Sequence, residues 1–400
     1  MLDNQLFMVD FCFVQIDEIL SLIPTKVLDD LAGEMGVNKY AKKLRAQVVF
    51  KLLIYCILSY KDNSLRMMES VYETIGFGLI NSGSKNSTIR YSSISEKLSK
   101  LDYRYFEKLY YICVETFGGM IKQNGLPLIR FDSTIISLSS KLLHSGYNLP
   151  GDSRTYNQVK ISIGFSELPE FSDIYTEQQA ASENYALKKT MFGPQAFNQR
   201  LIKVFDRGVS ARNTFDQMVE EGTAFITRIR PKSKHVEVIG NSLDKAVSTQ
   251  SLTIYSDRWI SLFAEGGKKS EHPLRCIQGI QKETEEPIWF ITNIADLSAE
   301  EITGYYKRRW DIETFFKFIK QELNFGHFIN RSENGMKTII YCTLIASIIL
   351  LAYKKKTNQK GYKIVKLRLL NELEKSMARQ FTIMMGGDPE KFDTLFNNSS

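Results

Sequence analysis

Leu126–Ser140, LPLIRFDSTIISLSS, divides the chain into two kinds of pattern. Within it β-branched residues recur at a period near two, as a half-buried strand requires. Before it the period is helical. Across residues 13–118, Leu65, Met68, Val71, Tyr72 and Ile75 keep the spacing of one helix face. Ala46–Tyr60 is apolar nearly all round and reads as a central helix. A Gly/Ser/Asn-rich connector, Gly76–Ser93, leads to a short helix with Ile94, Leu98 and Leu101, and a last helix carries Phe106, Leu109, Tyr110 and Cys113. The short segment ISEKLSKL is either the reading helix of a helix-turn-helix or a member of an ordinary bundle.

After Leu126 the two periods alternate. YNQVKISIGF and SDIYTEQQ read as strands, followed by a helical passage at Gln195–Arg200 and a short buried strand in LIKVFDRG. A helix over Ala211–Glu221 and the strand AFITRIR come next. Pro231–Glu286 then departs: LTIYS, RWISLFA and LRCIQGI are alternating strands separated by Gly, Asp and Pro. PIWFITN resumes the main sheet. This order predicts an α/β core with a β-rich insertion, preceded by an all-α N-terminal domain. The expected boundaries are 1–122 for the helical domain, 123–355 for the α/β domain with its insertion at about 231–286, and 356–400 for a basic helical tail.

A chain of 400 residues has room for two or three domains. Its 43% hydrophobic and 12% aromatic content excludes a disordered chain. The formal charge of +7 permits nucleic acid as a partner without demanding it. The cations cluster, however, in Lys39–Arg45, Arg228–Lys234, Lys307–Arg309 and Lys354–Arg368. Cys12, Cys56, Cys113, Cys276 and Cys342 form no CxxC pair, so buried, reduced thiols of a cytosolic protein are expected. The N-terminal MLDNQLFMVDF lacks a basic region and does not read as a signal peptide. The longest apolar run, Thr338–Tyr353, is shorter than the ~20 residues of a membrane-spanning helix. It is expected to be a buried helix, with no membrane partner.

The chemistry gathers in Glu300–Leu323, EEITGYYKRRWDIETFFKFIKQEL. Tyr306, Arg309, Glu313 and Lys320 fall on one face of an α-helix, and Ile312, Phe316, Ile319 and Leu323 form an adjacent apolar stripe for a core. A carboxylate between Arg and Lys suits a metal that sits beside phosphates. Asp132, in FDST, and Asp206, in VFDRG, stand in or at the end of buried strands, where ligands of open α/β sheets bind. Asp132, Asp206 and Glu313 are therefore the expected catalytic residues and ligands of a pair of Mg²⁺ ions, which act on phosphodiesters by in-line displacement. Taken singly, each aspartate reads as a structural residue sooner than a catalytic one, Asp206 as the cap of a turn; it is the combination with the Tyr-Arg-Glu-Lys face that favours catalysis. Trp310 and the pair Phe315-Phe316 read as packing residues, and the four dispersed histidines, His327 among them, do not suggest a metal site.

The order Asp, Asp, Glu, the contexts FDST and DRG, and the Tyr-Arg-Glu-Lys spacing resemble the DDE transposases of bacterial insertion sequences. The likeness is to the branch named for that four-residue signature, and it spans about Ile94 to Ala352. The resemblance implies an RNase H-like core with a β-rich insertion between the second and third acids. It also implies Mg²⁺-dependent (Mn²⁺ substituting) cleavage at element ends and joining of the 3′-OH to target DNA. Double-stranded DNA, a homodimer in a synaptic complex and a bacterial, nucleoid-associated cytoplasmic location follow from it, with the helical N-terminal domain and the basic tail gripping the element ends.

By the same resemblance Tyr306, Arg309 and Lys320 contact phosphates near the cleaved end, and Arg207, beside the second acid, joins the DNA contacts. Trp289 is either the tryptophan that stacks on a flipped base or a core residue. Lys160 either faces the active site as a DNA contact or is a solvated lysine. One departure is visible: Val209 stands where a tyrosine is commoner, and it cannot make a phenol contact. Three rival readings remain: an RNase H-like nuclease that cuts without strand transfer, a non-catalytic DNA-binding protein derived from such an element, and a membrane-associated protein, which rests on Thr338–Tyr353 alone.

Overall fold

The computed structural model describes residues 24–81, 88–119, 127–138, 146–148, 157–193, 201–239, 246–264 and 267–397. Among the described residues, in chain order, six helices come first: α1 (Thr25–Glu34), α2 (Ala46–Ser59), α3 (Leu65–Tyr72), α4 (Ile75–Ile80), α5 (Tyr91–Lys100) and α6 (Arg104–Gly118). The strands β1 (Leu128–Ser137), β2 (Tyr147–Asn148), β3 (Asn157–Phe165) and β4 (Pro169–Tyr175) follow. Then come α7 (Glu183–Met191), β5 (Ile202–Phe205), α8 (Arg212–Glu220) and β6 (Phe225–Ile229). The insertion supplies β7 (His235–Ile239), β8 (Val247–Ser248), β9 (Leu252–Leu262) and β10 (Leu274–Gln281), and β11 (Pro287–Thr292) closes the sheet. The last helices are α9 (Ala299–Lys307), α10 (Trp310–Glu322), α11 (Glu333–Thr357), α12 (Tyr362–Met384) and α13 (Pro389–Asn397).

These elements form two compact units, Gly118–Phe318 and a second made of Met1–Phe117 with Ile319–Ser400. The first is a mixed α/β unit. Its sheet runs β2-β3-β1-β5-β6-β11-β10-β9-β7, with β4 also on β3 and β8 also on β9. β3 is antiparallel to β1, β5 and β6 continue parallel to β1, and β11 then pairs antiparallel with β6. The inserted strands thus extend the sheet of the core.

Alternation along each strand sends side chains to opposite faces. On one face Phe131, Phe205 and Phe225 pack with Leu187 and Met191 of α7 and Phe215 and Met218 of α8. Phe205, Phe215 and Phe225 lie 5.6–6.5 Å apart between centroids. Such aromatic pairs contribute roughly 0.5–1.5 kcal/mol each beyond their burial, so the end of β5 is held firmly. On the other face Leu128, Val204, Ile226 and Phe290 pack with Ile302 and Tyr306 of α9.

The second unit is helical. α2 is buried along nearly its whole length and packs on α1, α3 and α11. α11 is long and apolar enough to cross a membrane by length and composition, and its apolar window is 89% buried inside the structure. The turn into α11 is fixed by Asn330 and Asn334, whose amides donate to the Ser95 and Leu98 carbonyls of α5 at 2.9 and 3.0 Å. His327 is a satisfied structural residue, with its Nε2 2.9 Å from the Asn63 carbonyl oxygen. Cys56, Cys113, Cys276 and Cys342 are buried and free. Cys12 lies outside the described residues.

The structure corrects several expectations. The single signature helix is two: at Arg308-Arg309 the chain changes to tighter bonding, with Arg309 N–H on Tyr306 O (2.9 Å), Asp311 N–H on Arg308 O (3.0 Å) and Ile312 N–H on Arg309 O (3.2 Å). LTIYS and RWISLFA are one strand, because Asp257 and Arg258 pair through the ladder with β10. The connector Gly76–Ser93 is shorter than expected. Thr74 caps α4 through the Phe77 amide at 3.2 Å, and Gly76 brings the helix close to Met377, whose Sδ an added Cβ would meet at 3.2 Å. Trp310 is 62% exposed and does not pack, whereas Phe315 and Phe316 are buried. The helical passage at Gln195–Arg200 falls on residues outside the described ones. The helix that precedes it, α7, was not expected at all.

Candidate active site

The parallel register of β1 and β5 aligns Phe131 with Phe205. The residues that follow are Asp132, still within β1, and Asp206, just past the end of β5; alternation turns Asp132 away from the phenylalanine core. α9 and α10 cover that side, and the turn between them delivers Arg309. Its guanidinium lies 2.6 Å from Glu313 Oε1 and 3.8 Å from Asp132 Oδ2. Asp206 accepts from the Tyr306 phenol at 3.0 Å and lies 3.4 Å from the Arg228 guanidinium. Tyr306 is sandwiched between cations, with the guanidinium carbons of Arg228 and Arg309 at 5.5 and 5.9 Å from its ring centroid.

A second arginine pair sets the helix against the sheet. Arg130 of β1 is 1% exposed; it donates to the Ser166 carbonyl and to Asp311 Oδ2, the latter at 2.8 Å. Asp311 also faces Arg308 at 3.6 Å, and Arg308 reaches Glu167 at 3.4 Å. Both arginines of the turn are thus spent on carboxylates, which is why the helix tightens there. Fixing the first turn of α10 fixes Glu313, which belongs to that turn.

The two aspartates are pushed in opposite directions. Burial raises Asp132 to about 6; the negative charges of Glu183 and Glu313 add to this, against the Ser133 amide and Arg309. Burial also pushes Asp206 upward, but the Arg207 amide, Arg309, Arg228 and the Tyr306 phenol outweigh it and hold the carboxyl below its usual range. Burial and the Asp206 charge raise the Tyr306 phenol, so it stays a donor. Among the described residues, no three of His, Cys, Asp or Glu stand close enough as they lie to hold a metal ion. Instead, Asp132 and Glu313 share Arg309. The donor set still suits a hard divalent cation: carboxylate oxygens on adjacent elements, one of them raised by burial and, to a lesser extent, by like charges, both of which a cation would offset.

The remaining expected residues scatter. Lys320 is exposed on α10, and Arg207 is exposed beside Asp206. Trp289, on β11, is 9% exposed in the core beside His235, whose ring centroid is 5.5 Å away. Lys160 is neither solvated nor presented outward: it is 1% exposed, and its ammonium donates at 2.9 Å to both the Ala181 carbonyl and Glu183 Oε1. Val209 is wholly buried in the core, so the departure noted at that position fills space. Sequence reasoning missed Glu183, Arg228 and Arg130. For Glu183 the usable signal was Ser182 followed by Ala186, Leu187, Thr190 and Met191 at helical spacing, which puts an acid in a first turn.

These observations define an α/β protein with three carboxylates gathered around one arginine, beside the ends of its parallel strands. Residues 124–349 match the model of the transposase DDE domain, and the chain belongs to that family. It is similar to a protein of Sinorhizobium fredii named as a transposase, y4zB, with 28% identity over 148 residues, covering 37% of this chain and 41% of that one. A Synechocystis protein named as the transposase of insertion sequence element IS4SA is 25% identical over 297 residues, covering 72% of this chain and 77% of the other. A Geobacillus stearothermophilus protein named as the transposase of element IS5377 is 24% identical over 265 residues, covering 65% and 66%. A solved structure, the piggyBac transposase synaptic complex with hairpin DNA, aligns with a TM-score of 0.46 and 12% identity, covering 90% of this chain and 80% of that chain.

Proposed function

We propose that this protein is a DNA transposase of the Tyr-Arg-Glu-Lys branch. It cleaves at the ends of an insertion sequence and transfers the freed 3′-OH into target DNA. The observation that carries this reading is the meeting of Asp132 and Glu313 on Arg309, with Asp206 following the β5 residue that pairs with Phe131. The strand order β4-β3-β1-β5-β6, with only β3 reversed, supports an RNase H-like core for the sheet unit.

Asp132, Asp206 and Glu313 would hold Mg²⁺, with Mn²⁺ as a substitute. When bound, the ions activate a water or 3′-hydroxyl and stabilise the leaving oxygen of an in-line displacement. The chain's own residues do the rest. Arg309 orients Glu313 and Asp132. Tyr306 and Arg228 keep Asp206 ionised. The Nε atoms of Arg309 and Arg228 are buried without a partner, two donors suited to phosphate oxygens that enter the site. Exposed Arg207 extends the cationic border, Lys320 is proposed to contact a phosphate, and Trp289 would reach a base only by leaving its core position.

In the helical unit we assign DNA contact to a cleft of about 950 Å³ whose lining includes Lys39, Tyr40, Lys42, Arg90, Lys97 and Lys100. Tyr40 is 89% exposed and holds a left-handed backbone, φ 63°, that a bulky residue rarely adopts. The Lys39 ammonium lies 5.4 Å from its ring centroid. An exposed ring among cations is the equipment of a surface that tracks phosphates and stacks on bases. Double-stranded element ends and target DNA are the proposed partners, engaged by a homodimer in the bacterial cytoplasm at the nucleoid.

The test is Mg²⁺-dependent cleavage of labelled DNA carrying the flanking ends of the encoding element, wild type against Glu313→Gln. Cleavage and joining by wild type alone supports the reading. Equal cleavage by both overturns the site, and cleavage without joining identifies a nuclease. Binding without cleavage by either leaves a DNA-binding protein.

A further inference from the structure

Glu183 opens α7 on the phenylalanine-core side of the sheet, and it touches three separate parts of the acid site. Its Oε1 accepts from Lys160 of β3 at 2.9 Å. Its Oε2 accepts from the Ser133 hydroxyl at 3.0 Å, on the residue next to Asp132. Ser133 in turn meets Ser162 of β3 at 2.8 Å. Its methylenes lie over Gly208, where an added Cβ would come within 3.1 Å of Glu183 Cγ and 3.3 Å of its Cβ. The neighbouring Asn184 accepts from the Ser210 and Ala211 amides at 2.8 and 3.1 Å, tying down the loop that follows Asp206.

We infer that Glu183 is a positioning residue of the carboxylate site, fixing the separation of Asp132 and Asp206, with Lys160 as its buried counter-ion. It stands on the face of the sheet opposite the Asp132 carboxylate, with its oxygens on Lys160 and Ser133, so it acts through Ser133 and the Asp206 loop and not as a ligand. Asp132 is then gripped from both sides of the sheet: Arg309 takes its carboxylate, and Glu183 takes its neighbour. The glycine of DRG acquires a reason, since a Cβ there would crowd Glu183 and require it to give by a few tenths of an ångström. Lys160 acquires one too. A buried ammonium needs a fixed partner, and the pairing makes the Glu183 carboxylate rigid.

This inference rests on the carboxylate-site reading, and its test separates the two. Mn²⁺ binding is measured by electron paramagnetic resonance, alongside end cleavage as a function of Mg²⁺ concentration, for wild type, Glu183→Gln, Glu183→Asp and the double variant Glu183→Gln/Lys160→Met. Thermal melting reports folding. Glu183→Gln is expected to weaken Mn²⁺ binding and raise the half-saturating Mg²⁺ concentration by about tenfold or more, as outer-shell partners of metal ligands do. Glu183→Asp is expected to recover part of this. The double variant removes the unpaired buried ammonium, so it is expected to regain the melting temperature without regaining Mn²⁺ affinity. If the double variant regains both, or Glu183→Gln binds Mn²⁺ as wild type does, the inference is overturned. If wild type itself neither binds Mn²⁺ nor cleaves, the carboxylate-site reading has failed instead.

Discussion

Tyr306 and Asp206 are 100 residues apart in sequence, and the phenol of one donates to the carboxylate of the other at 3.0 Å. The contact joins the end of a parallel strand to the helix that covers it. Tyr306→Phe keeps the ring in its core position and removes only this bond. Stability is expected to fall by about 1 kcal/mol, while the Asp206 carboxyl rises toward ordinary values. Urea unfolding and carboxylate NMR titration check this; an unmoved Asp206 would mean that the phenol does not hold the charge.

Asp132 has the opposite character. Its folded pKa of about 6 lies above the unfolded value near 3.9, so between these limits the folded state holds a proton that the unfolded state has released. Its contribution therefore lowers stability as pH rises through that window, and the cost is complete above about pH 6. Asp132→Asn is expected to stabilise the metal-free protein at pH 7 by up to about 2 kcal/mol, and little at pH 4. Equal gains at pH 4.5 and 7 in chemical denaturation would contradict the assignment.

Lys203 gives a second pH test, away from the carboxylates. It is 2% exposed, its ammonium donates to the Met191 carbonyl, and burial lowers it to about 8. The unfolded lysine keeps its proton to near 10.4, so the unfolded state binds more protons between 8 and 10.4 and stability gains with pH there from this group. The cost is complete below about pH 8. Lys203→Met is expected to raise the melting temperature at pH 7 and to lose the relative gain at alkaline pH, read as the wild-type-to-variant difference across that range.

The cleft in the helical unit separates stacking from charge. Tyr40→Ser is expected to weaken binding of end DNA by about 1–3 kcal/mol while leaving the salt dependence as it was. Lys42→Gln is expected to weaken binding to all sequences and to lower the slope of log K against log salt by about one. Fluorescence anisotropy at several salt concentrations decides it. Unchanged affinity in both variants would remove this surface from the DNA-binding assignment.

How much of this was legible depended on distance in the chain. β1 and β5 announce themselves because a buried strand is a local pattern, and Asp132 and Asp206 could be read at their positions. Ile312, Phe316, Ile319 and Leu323 are buried, as their period requires. The break at Arg308-Arg309 was not legible, because two residues of tighter bonding barely disturb the helical phase. What causes it, the claims of Glu167, Asp132 and Asp311 on two arginines, comes largely from strands far away. Lys160 shows the same limit: a lysine in a strand is ordinarily solvated, and only the arrival of α7 with Glu183 makes it an interior residue. Trp310 erred the other way, as an aromatic in an apolar helix that faces outward.

The helical unit is written in two pieces, with roughly two hundred residues between them. During synthesis at about 5–20 residues per second, α2 emerges tens of seconds before α11, the apolar helix that covers it. Until then Leu52, Leu53 and Ile54 have no complete shelter, although each is almost fully enclosed in the finished protein. The nascent chain is thus a client for a chaperone in that interval. A ribosome that stops before Glu333 releases a fragment whose central helix is left uncovered on its α11 side, and such a fragment is exposed to aggregation and proteolysis.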